Sequence, residues 1–382
     1  MWPVNVTLRL TPTDQQKPTM HDEKKEELAP PSTVFSVISD SLKKSLPEYL
    51  AEDARVHLAT VYGCAVAHAL RDLGLVSAQG GFDEEDRTAS LIGHLGSHLS
   101  WYLAMADLSG LKEGQPSVSW SYQSKKAEAE KGGDFGLAVR LSDDKYNIAF
   151  FQAKNADFTS ETGANLWRPP YGYSPVSKKI PLEQEFTKEQ KIRDEESRKA
   201  DKELTNAIYG QQLSAQSGKG QHQLVKLSIL ADRAMKKIEA DSKWIHYVLW
   251  PIDQSMAPKV FDLPTVKRIL QGPGAISRSC LNVSAAHCRT AETFTALVMR
   301  GVEGGADGWL TVSKEQARSL IGDLTELCNR WMIVEDRQSS GALANALKGQ
   351  NPEFFEHNPP LDHVPELQLQ KTTPTPKTKL TL

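Results

Sequence analysis

The chain has 382 residues, 39% of them hydrophobic and 24% charged, a balance that supports a sizeable buried core and leaves room for two domains. A formal net charge of -3 excludes a uniformly basic nucleic-acid coat, although local patches outweigh the total when phosphates are the partner. No apolar run approaches the ~20 residues of a membrane span, and the scattered Cys64, Cys280, Cys288 and Cys328 form neither a disulfide framework nor a CxxC zinc pair.

Residues 1–33 are rich in Pro, Lys and Glu and lack the apolar stretch of a signal peptide, so they read as a flexible segment of a cytoplasmic protein. Within them, Val4 to Leu10 alternates as a short edge strand would. A helical pattern begins near Ser36, and a stronger one spans Glu52 to Leu73 with Gly74 as its stop. After Gly80-Gly81, the acids Asp83 to Asp86 suit the first turn of a helix continued by Leu91, Leu95, Leu99 and Tyr102. Counting back turn by turn from Leu95 through Leu91 and Thr88 reaches Glu84, so its carboxylate shares the apolar stripe and faces the protein body. A buried acid needs a partner, and a metal ion would serve. His94 and His98 lie four apart on the same helix; without a third ligand they read as satisfied or exposed histidines.

The most informative segment runs from Gly133 to Lys154. Two apolar runs, Phe135 to Leu141 and Tyr146 to Phe151, flank Ser142-Asp143-Asp144-Lys145, the pattern of a β-hairpin. A turn centred on Asp143 and Asp144 sets Asp134 opposite Ala153, between Gln152 and Lys154. Since strand side chains alternate, Gln152 and Lys154 share a face, and a bulge or small register change brings Asp134 beside them. An acid, an amide and an amine then converge within reach of one ion.

Residues 155–205 break this pattern and read as a charged insertion. The Trp167 to Tyr173 loop is expected to be anchored by aromatic packing, and the basic clusters at Lys178-Lys179, Lys188 to Arg193 and Arg198-Lys199 read singly as solvated faces. A helix is expected from Gln211 to Met235 and a fully buried strand from Trp244 to Trp250, stopped by Pro251. Helix, strand pair, helix and strand in that order make an α/β core with a mixed sheet. Beyond Pro251, a strand at Ala296 to Arg300, a turn at Glu303 to Gly308 and a helix from Ser313 to Met332, N-capped by Ser313, suggest a smaller α/β unit. Cys280, His287 and Cys288 fit no common metal spacing and read as packing. The resulting division is 34–255 for the core, 256–348 for an accessory domain and 349–382 for a Pro-rich disordered tail.

The hairpin and its preceding acid resemble the PD-(D/E)XK nuclease superfamily, over about residues 80–250. That resemblance implies a restriction endonuclease-like central mixed sheet flanked by helices. It implies Mg²⁺, with Mn²⁺ as a substitute, bound by Asp134, Glu84, the Gln152 side chain and the Ala153 carbonyl, and a Lys154 that orients and activates water. Gly133 stands where the motif has proline, and Gln152 where it usually has a carboxylate. The Gln-X-Lys variant is similar to defence nucleases of the Mrr and Cap4 kinds. The implied function is a DNA endonuclease, double-stranded DNA favoured, acting against foreign DNA, with a partner protein or self-association through 256–348. A reading from another class is a catalytically inactive nucleic-acid-binding or scaffold subunit, in which Gln152 marks the lost acid.

Overall fold

The computed structural model describes residues 40–46, 61–78, 83–108, 116–120, 133–142, 144–161, 163–167, 188–213, 221–253, 256–277, 280–302, 304–324 and 330–336, with a few single positions toward the C-terminus. The expected strand at Val4 to Leu10, the stretch from Glu52 to Thr60, the loop beyond Trp167 and the tail after Gly349 lie outside them.

In chain order the elements are α1 (Val61–Ala78), α2 (Glu84–Leu108), β1 (Pro116–Trp120), β2 (Phe135–Ser142), β3 (Lys145–Asp157), β4 (Gly163–Asn165), α3 (Lys188–Ile208) and α4 (Gln223–Ile238). There follow β5 (Ile245–Pro251), β6 (Lys259–Asp262), α5 (Leu263–Leu270), β7 (Ile276–Ser277), β8 (Cys280–Val283), α6 (Ala285–Thr290), β9 (Glu292–Thr293), α7 (Phe294–Val302), β10 (Leu310–Ser313), α8 (Lys314–Leu324) and β11 (Trp331–Asp336). They make an α/β protein with one eleven-stranded mixed sheet flanked by helices.

The organising strand is β3. Its first half runs antiparallel to both β2 and β10, its second half runs parallel to β5, and β4 joins its end. A second parallel pair sets β11 beside β2, with Trp331 opposite Gly136. Strand alternation divides the buried side chains between two faces. Phe150, Tyr247 and Leu249 pack with α4, α5 and α8 on one face; Phe135, Phe151, Ala153 and Trp250 pack with α1, α2 and α7 on the other. Because both faces are covered, β5 is buried at every position, which is why Trp244 to Trp250 reads as an uninterrupted apolar run.

Several expectations change. Helix α1 runs through Gly74 to Ala78, so the glycine does not stop it. The charged stretch within 188–208 forms the helix α3, and α4 starts at Gln223 instead of Gln211. The run Ala296 to Arg300 is helical: Phe294, Leu297, Val298, Gly301 and Val302 are buried at helical spacing, a period that an apolar nine-residue segment does not separate from a strand by hydropathy alone. Ser313 does cap α8, accepting from the Gln316 amide while the Gln316 side chain accepts from the Ser313 amide, but the helix ends at Leu324 and Trp331 begins a strand. Beyond residue 256, strands β6, β10 and β11 pair with β5, β3 and β2, so this stretch completes the sheet that carries the hairpin.

Candidate functional site

The hairpin forms with a bulge. Ser142 pairs with Lys145, as a turn on Asp143 and Asp144 requires, but Leu141 is passed over and Arg140 pairs with Tyr146, so Phe135 lies opposite Phe151. Continuing that register sets Asp134 opposite Gln152 instead of Ala153. The acid and the amide thereby share a face and meet: Gln152 Nε2 and the Ala153 amide both donate to Asp134 Oδ2. Asp134 and Gln152 are almost completely buried.

Lys154, two residues on, projects from the same face, and its Nζ donates to Glu84 Oε1 at 2.9 Å. Helix α2 packs on the opposite face, yet its first turn sits where β3 and β5 end. Arg87 donates to the Pro251 carbonyl (2.9 Å) and to Asn155 Oδ1 (3.3 Å), and the Trp250 indole donates to Thr88 Oγ1 (3.2 Å). These bonds hold Glu84 at the strand end, where its second oxygen accepts from the Asn155 amide at 3.3 Å. The apolar stripe that predicts an inward Glu84 is real, since Thr88, Leu91 and Leu95 are buried.

Two side chains complete the site without any signal in the sequence. Gln223, the first residue of α4, donates from Nε2 to Gln152 Oε1 at 2.5 Å, while its own Oε1 is buried with no partner. Tyr247 lies opposite Gln152 on β5, and its buried hydroxyl also lacks a partner. Burial pushes the Tyr247 phenol well above its ordinary range, and the nearby Asp134 carboxylate raises it further. Polar atoms sealed from water without a partner are costly, and these two flank Gln152, one on α4 and one on β5.

Carboxylates of Asp134 and Glu84, the Ala153 carbonyl and the carboxamide oxygens of Gln152 and Gln223 are all oxygen ligands of the kind Mg²⁺ takes. As the side chains stand, Gln152 turns its nitrogen toward Asp134. A half turn about the last torsion exchanges Nε2 and Oε1, and Gln223, with its unbonded oxygen, can turn in concert. Cys288, in contrast, is buried and donates weakly to the Val283 carbonyl, as expected of a packing residue, whereas His287 is exposed and bonds the Ser284 N-cap.

Trp167 packs edge-on against His222, immediately before Gln223, with ring centroids 4.7 Å apart; the loop entrance is anchored by aromatic packing. Among the described residues no helix is long and apolar enough to cross a membrane. No family model, curated protein or solved structure matches this chain.

Proposed function

We propose that this chain is a metal-dependent nuclease of restriction endonuclease-like fold that hydrolyses DNA phosphodiester bonds at Glu84, Asp134, Gln152 and Lys154. The observation that carries the reading is the alignment, on one strand face, of an acid-amide pair and a lysine-acid pair beside unpartnered oxygens of Gln223 and Tyr247. Mg²⁺, or Mn²⁺ in its place, would be held by Asp134, Glu84, the Ala153 carbonyl and the Gln152 carboxamide. When bound it would offset charge on the phosphate and make a water more acidic.

The protein's own groups then have separate tasks. Asp134 anchors the acidic end of the site, fixed by the Ala153 amide. Gln152, neutral where a carboxylate is usual, keeps the site less negative, which lowers repulsion of the phosphate and leaves Glu84 as the second charged ligand. Lys154, held by Glu84, presents its N–H groups to orient the attacking water and to meet the negative charge that builds on phosphorus. Water adds to phosphorus as the bond to the leaving sugar oxygen breaks. A role in defence against foreign DNA rests on the Gln-X-Lys resemblance.

The scaffold reading draws on one observation: Asp134 already accepts two hydrogen bonds and is satisfied without an ion. Plasmid DNA incubated with the purified chain and Mg²⁺ or Mn²⁺, beside Asp134→Ala and Lys154→Ala, separates them. Cleavage lost in both variants supports the nuclease. Cleavage that persists in both means the site is wrong, and DNA binding without cleavage in any condition favours the scaffold.

A further inference from the structure

Helices α1 and α2 pack side by side, and each carries possible metal ligands four residues apart: His68 and Asp72 on α1, His94 and His98 on α2. The third ligand that the α2 sequence lacks is supplied by α1. Asp72 Oδ2 lies 2.8 Å from His98 Nε2, and Asp72 Oδ1 lies 3.9 Å from His68 Nε2. One ligand atom from each of His68, Asp72 and His98 falls within 4.8 Å of the other two, the sole such grouping of histidine, cysteine and acid among the described residues.

We propose that His68, Asp72 and His98 form a transition-metal site, with Zn²⁺ the best-suited ion, that clamps α1 to α2. Imidazole nitrogen selects zinc, copper or nickel over magnesium, so this site is chemically distinct from the oxygen-lined centre at Asp134. Three protein ligands leave a fourth tetrahedral position, to be taken by water or by His94, whose ring centroid is 6.1 Å from that of His98. Support from outside the ligand set is already present. Tyr102 Oη lies 3.2 Å from His68 Nδ1, which fixes the ring and leaves Nε2 turned toward Asp72.

The side-chain arrangement also states what binding must change. The His68 and His98 rings lie nearly parallel, centroids 4.0 Å apart, and parallel rings cannot aim both in-plane lone pairs at one point. One ring has to turn about χ2, most simply His98, which is held by the Asp72 carboxylate alone at Nε2. His98 also has to free that nitrogen of its proton, shifting it to Nδ1 or to solvent. Arg71, 3.4 Å from His68 Nε2, has to swing aside. The side chains of His68, Asp72 and His98 are 23%, 26% and 16% exposed, which gives an ion a path and the rings room. Glu84 begins the same helix fourteen residues before His98, about 21 Å along its axis. The clamp would therefore steady the helix that holds Lys154 without touching the phosphodiester centre.

The test uses the full chain, stripped of metal with a chelator and titrated with Zn²⁺ against a chromophoric competitor. One tight equivalent is expected, lost in Asp72→Asn and His98→Gln, weakened about tenfold in Tyr102→Phe, and unchanged in Asp134→Asn and His287→Gln. X-ray absorption of the zinc-loaded native chain should count at least two imidazoles, a reading that needs no variant to fold. Absence of a tight equivalent, its retention in both ligand variants, its loss in Asp134→Asn, or fewer than two imidazoles at the ion overturns the proposal.

Discussion

Gln223 donates from the first turn of α4 to the side-chain oxygen of Gln152 on β3, so a helix and a strand separated by seventy residues share one buried carboxamide contact. Gln152 is thereby held at both ends, by Asp134 through its nitrogen and by Gln223 through its oxygen. Truncation to Gln223→Ala leaves Gln152 Oε1 buried without a donor, at a cost of about 1–3 kcal/mol. Gln223→Glu keeps the volume but sets an acceptor against an acceptor. Both variants should lower the unfolding midpoint in urea, and both should reduce plasmid cleavage at saturating Mg²⁺ by more than the lost folded fraction explains. Cleavage that tracks stability alone would make Gln223 a packing residue only.

The Lys154–Glu84 pair separates stability from chemistry. Lys154 is nearly buried and Glu84 only partly so; breaking the pair strands a charge, which costs up to about 3–5 kcal/mol for fully buried cases and less here because Glu84 reaches water. Glu84→Gln alone and Lys154→Met alone should each lower the midpoint. The double variant removes both charges and should regain much of the loss. Activity should not return with it, since Lys154 is assigned to the attacking water. Urea unfolding and cleavage measured on all four proteins check this, and a double variant that cleaves DNA would remove Lys154 from the centre.

How much of this was legible in the sequence depends on the range of the contacts. The hairpin, the inward Glu84 and the buried β5 follow from periodicity within a few residues, and they are found where expected. The bulge at Leu141 was open as an alternative, because one residue of slip depends on how Leu141 and its neighbours pack and no local pattern fixes that. The pairing of β11 with β2 joins Trp331 to Gly136 across the chain, and nothing near Trp331 announces it. Nothing in the sequence singles out Gln223 or Tyr247, because a glutamine at a helix start and a tyrosine in an apolar strand are ordinary; only the fold brings them to Gln152. His68 and Asp72 likewise carry no local sign that they meet His98, since the contact joins two helices.

His246 supplies a pH dependence of known sign. Burial lowers its pKa from 6.5 to about 4, partly offset by its 2.7 Å hydrogen bond to the Gly308 carbonyl and by the Asp262 and Asp307 charges, while Arg300 reinforces the shift. The unfolded chain therefore binds a proton at this position between pH 6.5 and 4 that the folded chain refuses. Stability from the neutral imidazole is present above pH 6.5 and falls as the pH drops toward 4, by roughly 3 kcal/mol in all. His246→Gln should flatten this acid limb while lowering stability near neutrality. Chemical denaturation across this pH range is the measurement. An unchanged slope would assign the limb to other groups.

Glycine precedes Asp134 at position 133, and packing explains why no larger residue stands there. A Cβ built there would lie 2.1 Å from Phe150 Cζ, inside the closest approach two carbons tolerate, so the ring of Phe150 fills the space a side chain would need. Phe150 cannot yield easily, because it is fully buried against Trp331, ring centroids 6.0 Å apart, on the face that carries Gln152. Gly133→Ala should thus cost about 1–3 kcal/mol through overpacking, and Gly133→Pro more if the ring and the hairpin entry cannot both shift. Because Asp134 follows directly, the displaced backbone should also weaken cleavage. Gly133→Ala combined with Phe150→Leu should recover part of both losses by trimming the ring that the new methyl meets. Thermal unfolding and plasmid cleavage on the single and double variants decide the matter: if Phe150→Leu adds its own penalty with no rescue, the glycine is required by its backbone and not by its neighbour.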